Sequence, residues 1–283
     1  MPARPSRPWT RYVAIGDSFT EGMSDAHPDQ PDYYVGWADR LAGHLAAIAE
    51  NGSASSGGPA HANTPAAGLS YANLAIRGRL LADIAGRQTD EAIALAPDLV
   101  SISGGGNDIM RPRADVEALA AELDDAVGRL RAAGADVLIA TPADPRGAPV
   151  VRHTRGRVAT YTAHIWTIAR KHDAYVLNQW GLAPLQDWRM WADDRIHMTS
   201  EGHRRVALEA LSTLGCSPTE TGWADPLPVQ PTPSRRENAR ETARWAREHL
   251  APWVQRRMRG ESSGDLLGAK RPELRPIGPL TCG

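Results

Sequence analysis

The chain has 283 residues, of which 42% are hydrophobic and 23% charged, and its formal net charge is −1. This length and balance predict a globular protein with enough apolar side chains for one large core or two smaller ones. The near-neutral charge argues against a nucleic-acid surface or an anionic membrane as partner and favours a small-molecule substrate.

The cysteines and the N-terminal sequence provide evidence on the cellular compartment. Cys216 and Cys282 are the only cysteines and lie far apart in the sequence, so they predict neither a disulfide framework nor a metal cluster. The N-terminus enters its first strand-like segment without the apolar stretch of a signal peptide, and the sequence contains no candidate transmembrane span. We therefore expect a cytoplasmic protein.

Short apolar runs alternate with segments of helical period between residues 12 and 214, which is typical of a parallel sheet with crossover helices. The predicted strands are Tyr12–Gly16, Tyr71–Ala75, Asp98–Ser103, Asp136–Ala140 and Ala174–Asn178. The predicted helices are Trp37–Ala49, Arg79–Leu95, Ala114–Ala133, Arg157–His172 and Ser200–Leu214. The pattern predicts a three-layer α/β sandwich with a central parallel sheet of five strands between helices.

Two regions lie outside this alternation. Residues 51–69 are rich in Gly, Ser, Ala, Pro and Asn, a composition that predicts a flexible insertion. After Cys216 the sequence becomes rich in Pro and Thr, as in a linker. We therefore predict a main domain over residues 1–215 and a separate C-terminal region over residues 216–283.

The C-terminal region contains one predicted helix. A capping-box sequence at Ser234–Glu237 predicts its start, and the helix is expected over about residues 235–259. The last two dozen residues are predicted to be disordered. The helix carries Trp245, Trp253 and several arginines, so it is expected either to pack back on the core or to offer a surface to a protein partner.

Polar or glycine-rich sequences follow the predicted strands. Ligands of open α/β sheets bind at the carboxyl ends of parallel strands. The sequences at those ends are Gly16–Gly22, Asn73–Gly78, Gly104–Asp108, Thr141–Pro145 and Asp193–His197. We expect this topology to bring five candidate residues to one rim of the sheet: Ser18, Gly78, Asn107, Asp194 and His197.

Ser18 and His197 have the side chains that nucleophilic acyl transfer requires. A serine hydroxyl is a poor nucleophile at neutral pH unless an imidazole accepts its proton, and a carboxylate that fixes the imidazole tautomer improves that base. Asp194 precedes His197 by three residues, so its carboxylate can reach Nδ1 where the segment turns. Asp193 is the competing candidate for this role, and His203 is a second histidine that we expect to be a surface or packing residue.

The remaining polar candidates fall into two groups, hydrogen-bond donors for the substrate and structural supports. Acyl transfer needs hydrogen-bond donors for the developing oxyanion, and the Gly78 N–H and the Asn107 side-chain amide have the right chemistry. Asp17 and Asp108 each adjoin a candidate residue in the sequence. Adjacent side chains rarely face the same site, so these two aspartates are interpreted as structural supports.

Four motifs in this order resemble those of the SGNH, or GDSL-type, hydrolases: Gly16-Asp17-Ser18, Gly78, Gly105-Gly106-Asn107-Asp108 and Asp194-Arg195-Ile196-His197. The resemblance covers roughly residues 10–215 and implies a flavodoxin-like sandwich that hydrolyses carboxylic esters or acyl groups. Phe19 stands where the family's short name has leucine, an apolar exchange that leaves the chemistry intact.

The resemblance also implies a role for each matching residue. Ser18 would be the nucleophile, His197 the general base and then the acid, and Asp194 the residue that orients the imidazole. The Ser18 N–H, the Gly78 N–H and the Asn107 amide would form the oxyanion hole. No cofactor or metal is implied.

The leading hypothesis is therefore an esterase or deacylase that removes short acyl groups from a small ester through an acyl-enzyme on Ser18. An acyltransferase would use the same residues with an acceptor alcohol in place of water. The aspartate and histidine cluster at residues 193–203 also allows a metal-dependent phosphoesterase. A non-catalytic interaction protein that uses the C-terminal helix is the fourth alternative.

Two sequence features bear on specificity. Aromatic residues are expected to flank the site, namely Tyr33, Tyr34, Trp180, Trp188 and Trp191. Arginines next to the motifs, including Arg77, Arg79, Arg111 and those between Arg146 and Arg157, suggest a preference for an anionic acyl or leaving group.

Overall fold

Residues 8–55, 68–148, 151–230, 240, 242–250 and 264–279 are described by the computed structural model. The strands are β1 (Arg11–Ile15), β2 (Ala26–His27), β3 (Gln30–Tyr34), β4 (Ser70–Asn73), β5 (Leu99–Ile102), β6 (Asp136–Ala140), β7 (Tyr175–Leu177) and β8 (Arg271–Pro276). The α-helices are α1 (Ser18–Glu21), α2 (Gly36–Ser55), α3 (Leu81–Asp83), α4 (Thr89–Ala94), α5 (Gly106–Ile109), α6 (Val116–Ala132), α7 (Arg155–His172) and α8 (Ser200–Thr213). A π-helical segment, Ile84–Gln88, joins α3 to α4.

The central sheet has the strand order β7-β6-β5-β1-β4-β8. Its first five strands are parallel, and they are the five that the sequence predicts. From β1 the chain passes to β4 on one side and then crosses to β5 on the other. The carboxyl end of β1 is therefore the topological switch point, where open α/β sheets bind their ligands.

Each face of the sheet packs against its own layer of helices, which confirms the predicted three-layer α/β sandwich. Val13 and Ile15 of β1 belong to one hydrophobic cluster, whereas Tyr12 and Ala14 belong to the other. Successive side chains of a strand point to opposite faces, so a strand that is covered on both sides is apolar throughout. This is why β1 and β6 are continuously apolar after their first residue; in β5 the run is interrupted by the buried Ser101, which hydrogen-bonds to the Tyr12 hydroxyl.

The helix ends explain why the longer helical predictions are confirmed. The Asp115 carboxylate accepts hydrogen bonds from the Glu117 and Ala118 backbone N–H groups and begins α6, and Thr199 begins α8 in the same way. Side chains of this type at the N-cap satisfy N–H groups that have no partner inside the helix. The apolar residues of α6 then recur at helical spacing and are buried: Leu119, Leu123, Ala126, Val127 and Leu130.

The prediction of a disordered C-terminal end is wrong for residues 264–279. Strand β8 pairs antiparallel with β4 and forms a sixth strand at the edge of the sheet. Its sequence, with prolines at both Pro272 and Pro276, does not alternate apolar and polar residues, and proline is tolerated only at a sheet edge. The strand forms because β4 would otherwise present an unpaired edge, a condition that is absent from the local sequence.

A buried ion pair also anchors this edge strand. The Lys270 Nζ lies 3.0 Å from Oδ2 of Asp39 in α2 and donates hydrogen bonds to the carbonyls of Tyr34 and Val35. Burial lowers the pKa of Lys270, and the Asp39 charge opposes that effect. The C-terminal strand is thus attached to the main body by both backbone and side-chain contacts.

Three other predictions meet the structure only in part. Helix α2 runs through Ser55, so residues 51–55 of the predicted insertion are helical, and residues 56–67 lie outside the described residues. In the predicted C-terminal helix, residue 240 and residues 242–250 are helical, and Ala246–Leu250 form a π-helical turn. Cys216 is buried, whereas Cys282 and Ser234–Glu237 lie outside the described part of the chain.

The division of the chain at residue 215 stays a prediction. In the described ranges, no helix combines the length and apolar character needed to cross a bilayer.

Candidate active site

Ser18 is the first residue of α1, directly after the carboxyl end of β1. The Asp17 carboxylate accepts a hydrogen bond from the Phe19 N–H at 3.1 Å and serves as the N-cap. The chain makes this turn at Gly16, where a Cβ atom would lie only 2.6 Å from the Thr20 Oγ1 and 2.8 Å from the Ser103 carbonyl oxygen. Only glycine fits this approach, and the sharp turn leaves Ser18 on a cavity wall.

His197 and Asp194 form a hydrogen-bonded pair. The distance from His197 Nδ1 to Asp194 Oδ2 is 2.6 Å. The other carboxylate oxygen of Asp194 accepts hydrogen bonds from the N–H groups of Ile196 and His197, at 2.9 and 3.0 Å. Asp193, the competing candidate, is exposed. When Nδ1 donates its proton to Asp194, Nε2 is left as the proton acceptor of the imidazole.

The charge on Asp194 is well stabilised. Burial raises its pKa, but the hydrogen bond and the charge of His197, together with the two backbone N–H groups, outweigh that effect and lower the pKa overall. Asp194 is therefore ionised at neutral pH. An ionised carboxylate in this position stabilises the imidazolium that forms when His197 accepts a proton.

The loop that carries this pair, residues 191–198, is held at both ends. Trp191 and Met198 form an isolated antiparallel bridge, and the Ala192 N–H donates to the His197 carbonyl at 2.8 Å. Arg195, at the tip of the loop, has a φ of +57°. Residues with a Cβ seldom adopt this conformation, so the loop is a constrained turn.

Asn107 lies near the start of α5 and points its amide toward two acceptors. Its Nδ2 lies 3.2 Å from the Asp17 Oδ2 and 3.1 Å from the Arg79 carbonyl oxygen. Asp108, the next residue, instead accepts a hydrogen bond from the Leu81 N–H at 3.0 Å, where α3 begins. Asp17 and Asp108 therefore support the loops around Ser18 and Asn107, but Asp17 also lines the same cavity as Ser18.

A cavity of about 250 Å³ joins these residues. Ser18, Asn107 and His197 line it, together with Asp17. The remaining wall is mostly apolar and includes Ile109, Met110, Pro142, Val158, Leu185, Trp188, Trp191 and Met198. The arrangement suits a substrate with a polar reacting centre and an apolar group beside it.

The structure does not bring Gly78 to this cavity. Gly78 lies in the turn after β4 with a φ of +75°, and it is not one of the residues that line the cavity. Its neighbour Arg79 supplies the carbonyl that accepts the Asn107 amide. Gly78 thus lies in the same loop as a residue that contacts the site. The role of its N–H as an oxyanion donor stays an expectation from the family resemblance.

The predicted specificity residues divide into two groups. Trp188 and Trp191 line the cavity, whereas Tyr33, Tyr34 and Trp180 do not. Of the predicted arginines, Arg77, Arg79, Arg111, Arg146, Arg152, Arg155 and Arg157 are not lining residues either. Arg77 is paired with Glu21, and Arg155 with Asp144. These arginines therefore do not support the expectation of an anionic substrate.

His203 is a packing residue. It is 1% exposed, its Nδ1 accepts a hydrogen bond from the Trp37 N–H, and its Nε2 donates to the Met23 carbonyl. Burial lowers its pKa to about 4, so the ring is neutral at neutral pH. Both ring nitrogens are occupied by protein groups, which removes His203 from the metal cluster considered above. In the described part of the chain, no three His, Cys, Asp or Glu side chains form a candidate metal site.

The sequence matches the GDSL-like lipase/acylhydrolase family over residues 14–205, more than half of the chain. The chain belongs to this family. It is thus a carboxylic ester hydrolase of the GDSL type, as the four motifs imply. No curated protein matches the sequence significantly.

Solved structures of similar fold accord with the family assignment. The acetylxylan esterase Axe2 from Geobacillus stearothermophilus is 21% identical, with 75% of this chain and 97% of that chain covered at a TM-score of 0.56. LAE5, an alpha/beta hydrolase enzyme from the metagenome of Lake Arreo, is 22% identical, with 74% and 97% covered at a TM-score of 0.57. TesA is 20% identical, with 72% and 98% covered at a TM-score of 0.52. These structures share the α/β sandwich.

One residue of this GDSL-type hydrolase was missed by the sequence reasoning. Gln88 is fully buried, accepts a hydrogen bond from the Gly16 N–H at 2.8 Å and donates one to the Gly16 carbonyl at 3.0 Å. It thereby holds the turn that presents Ser18. Gln88 ends the π-helical segment Ile84–Gln88, and π-helical turns occur frequently at functional sites. A buried glutamine in an otherwise amphipathic helix is the only signal that the sequence offers.

Asp17 gives this hydrolase a testable pH dependence. Burial raises the Asp17 pKa from 3.8 to about 6, against the opposing effects of the Phe19 N–H and the His197 charge. The folded protein thus binds this proton more tightly than the unfolded chain, so stability is lost as the pH rises from 3.8 through about 6. As the pH rises from about 4 to about 6, we expect the unfolding free energy of the wild type to fall by about 2–3 kcal/mol relative to that of Asp17→Asn.

Denaturant titration of both proteins from about pH 4 to pH 8 measures this difference. Asparagine is also a good N-cap, so the variant is expected to keep α1. The difference between the two proteins should level off above pH 6. A difference that is constant over the whole range would contradict the raised pKa of Asp17.

Proposed function

We propose that this protein hydrolyses small carboxylic esters with short acyl groups through an acyl-enzyme on Ser18. The observation that carries the proposal is the Asp194–His197 hydrogen bond of 2.6 Å beside a cavity that Ser18 and His197 both line. A serine, an imidazole and an orienting carboxylate around one cavity are the parts of an acyl-transfer site.

Acylation begins when His197 Nε2 accepts the Ser18 hydroxyl proton and the Ser18 Oγ attacks the ester carbonyl carbon. The carbonyl π electrons move to its oxygen, which becomes an oxyanion. When this intermediate collapses, the bond to the alcohol oxygen breaks, and His197 gives its proton to the departing alcohol. Asp194 stabilises the imidazolium during this exchange.

Deacylation repeats these steps with water as the nucleophile. His197 accepts a proton from water, the resulting hydroxide attacks the acyl carbon, and the bond to the Ser18 Oγ breaks. His197 then returns the proton to Ser18, and the carboxylic acid leaves. The Asn107 amide and the Ser18 N–H are the proposed oxyanion donors. Gly78 stays a third, expected from the family resemblance alone.

The cavity wall is mostly apolar, with Asp17, Asp144 and Arg195 as its Asp and Arg residues, and this supports an apolar acyl group. Acetyl esters are the first substrates to test, since Axe2, one of the solved structures with this fold, is an acetylxylan esterase. A sugar or another alcohol that replaces water in the second half-reaction would make the protein an acyltransferase. Product analysis with alcohol acceptors present separates these activities, because hydrolysis yields the free acid and transfer yields a new ester.

Covalent labelling tests the nucleophile. We expect a serine-reactive organophosphonate to inactivate the protein and to modify Ser18, as located by peptide mass spectrometry. Ser103 lines the same cavity, so Ser103→Ala is the matched control and should still be labelled at Ser18. Labelling at a different serine, or catalytic turnover that survives complete labelling, would contradict the proposal.

Two expectations about the cell accompany this function. The cytoplasmic location is a prediction, and a mature N-terminus produced by cleavage within the first thirty residues would contradict it. A protein partner for the C-terminal helix also stays a prediction. Trp245 of that helix contacts the catalytic loop, which favours the alternative in which the helix packs back on the domain.

A further inference from the structure

The C-terminal helical segment places a tryptophan against the loop that carries Asp194 and His197. The indole Nε1 of Trp245 donates a hydrogen bond of 2.9 Å to the Asp194 backbone carbonyl. The Trp245 side chain is 7% exposed, so this bond is shielded from water and stronger than one at the surface. Trp245 lies forty residues beyond residue 205, where the family match ends.

The same tryptophan also contacts the strained residue of the loop. The Arg195 guanidinium carbon lies 5.5 Å from the ring centroid of Trp245 and 5.3 Å from that of Trp188. A cation over an aromatic face is attracted by the negative charge of the ring face. Two aromatic contacts therefore hold the side chain of the residue whose φ is +57°, and a strained backbone persists only where its surroundings hold it.

These contacts affect the geometry of the catalytic pair. Asp194 and Arg195 are consecutive, and among the described residues the Asp194 carboxylate accepts hydrogen bonds from groups within three residues, on Ile196 and His197. Those local bonds set the shape of the turn, but they do not fix the turn relative to the cavity. The Trp245 N–H, from outside the loop, attaches the Asp194 backbone to a second element.

We propose that Trp245 is a positioning residue that completes the active site from the C-terminal region. It acts through the Asp194 backbone and Arg195 and keeps the imidazole of His197 directed toward Ser18. This inference rests on the proposed function for its kinetic consequence. The contact between Trp245 and the Asp194–His197 pair can nevertheless be tested without any substrate.

Trp245→Phe is the informative variant because it keeps an aromatic ring for Arg195 and removes the indole N–H. We expect kcat for a short-chain ester to fall about tenfold, less than the roughly 10²-fold that a displacement of 1 Å costs, with KM nearly unchanged. Trp245→Ala also loses the ring contact and should lower kcat further. Trp166→Phe, at a half-exposed position on α7 outside the cavity lining, is the matched control and should keep wild-type kinetics.

Proton NMR provides the readout that needs no substrate. The proton in the short Nδ1–Oδ2 hydrogen bond is expected to resonate downfield of the backbone amides. Its resonance should move upfield or broaden by solvent exchange in Trp245→Phe, and it should be unchanged in Trp166→Phe. If the resonance moves in Trp245→Phe but the wild-type protein has no esterase activity, the positioning role is supported and the proposed function fails.

A double-mutant cycle separates positioning from a general loss of stability. If Trp245 acts through Asp194, then Trp245→Phe should cost much less activity in an Asp194→Asn background than in the wild type. Equal losses in both backgrounds would overturn the proposal. So would wild-type kcat together with an unmoved NMR resonance in both Trp245→Phe and Trp245→Ala.

Discussion

Replacing Ser18 with alanine is expected to abolish ester turnover, with a loss of kcat near the roughly 10⁶-fold that removal of a triad serine causes. The reason is that the acyl-enzyme of the proposed mechanism forms on the Ser18 Oγ. His197 could still activate water directly, so a slow residual rate above the uncatalysed reaction is compatible with the mechanism. The kcat measured on acetate and butyrate esters, with purified protein, tests this expectation.

The fold should survive this exchange. Ser18 is the first residue of α1, and the Asp17 side chain, not the Ser18 hydroxyl, caps that helix. Alanine is a good helix former at such a position. An unchanged Tm for Ser18→Ala would assign the loss to chemistry. Turnover near the wild-type rate in a Ser18→Ala preparation would rule out Ser18 as the nucleophile.

Replacing Asn107 with alanine is expected to lower kcat by roughly 10²–10³-fold, the usual cost of one oxyanion donor. KM should change much less, because the amide interacts more strongly with the oxyanion of the transition state than with the ground-state carbonyl. Without substrate the two N–H groups of the Asn107 amide are donated to the Asp17 carboxylate and the Arg79 carbonyl, so the oxyanion replaces one of these two acceptors. Steady-state kinetics on one short-chain ester provide both constants.

Asn178→Ala is the matched control for this substitution. Asn178 accepts a hydrogen bond from the Gly181 N–H in the loop after β7, and it does not line the cavity. The control removes the same functional groups and should retain the wild-type kcat. A near-normal kcat in Asn107→Ala, or an equal loss in Asn178→Ala, would exclude Asn107 as an oxyanion donor.

The sequence alone determined the five parallel strands and where the candidate reacting groups lie relative to them. Strands covered on both faces are mostly apolar, so β1, β5 and β6 are visible as short, mostly apolar runs. Parallel strands place their carboxyl ends at one edge, which predicts that the segments after β1, β5 and β7 meet. The spacing of three residues between Asp194 and His197 likewise predicts their contact, because it is a local property of a turn.

Tertiary structure alone decided the features that depend on residues far apart in the chain. Strand β8 forms because β4 offers an unpaired edge, and Gln88 holds the Gly16 turn across 72 residues. The absence of Gly78 from the cavity lining likewise depends on how loops pack. Trp245 contacts Asp194 across 51 residues. Local periodicity and motif spacing report on neighbouring residues, whereas these contacts form only after the sheet has brought distant segments together.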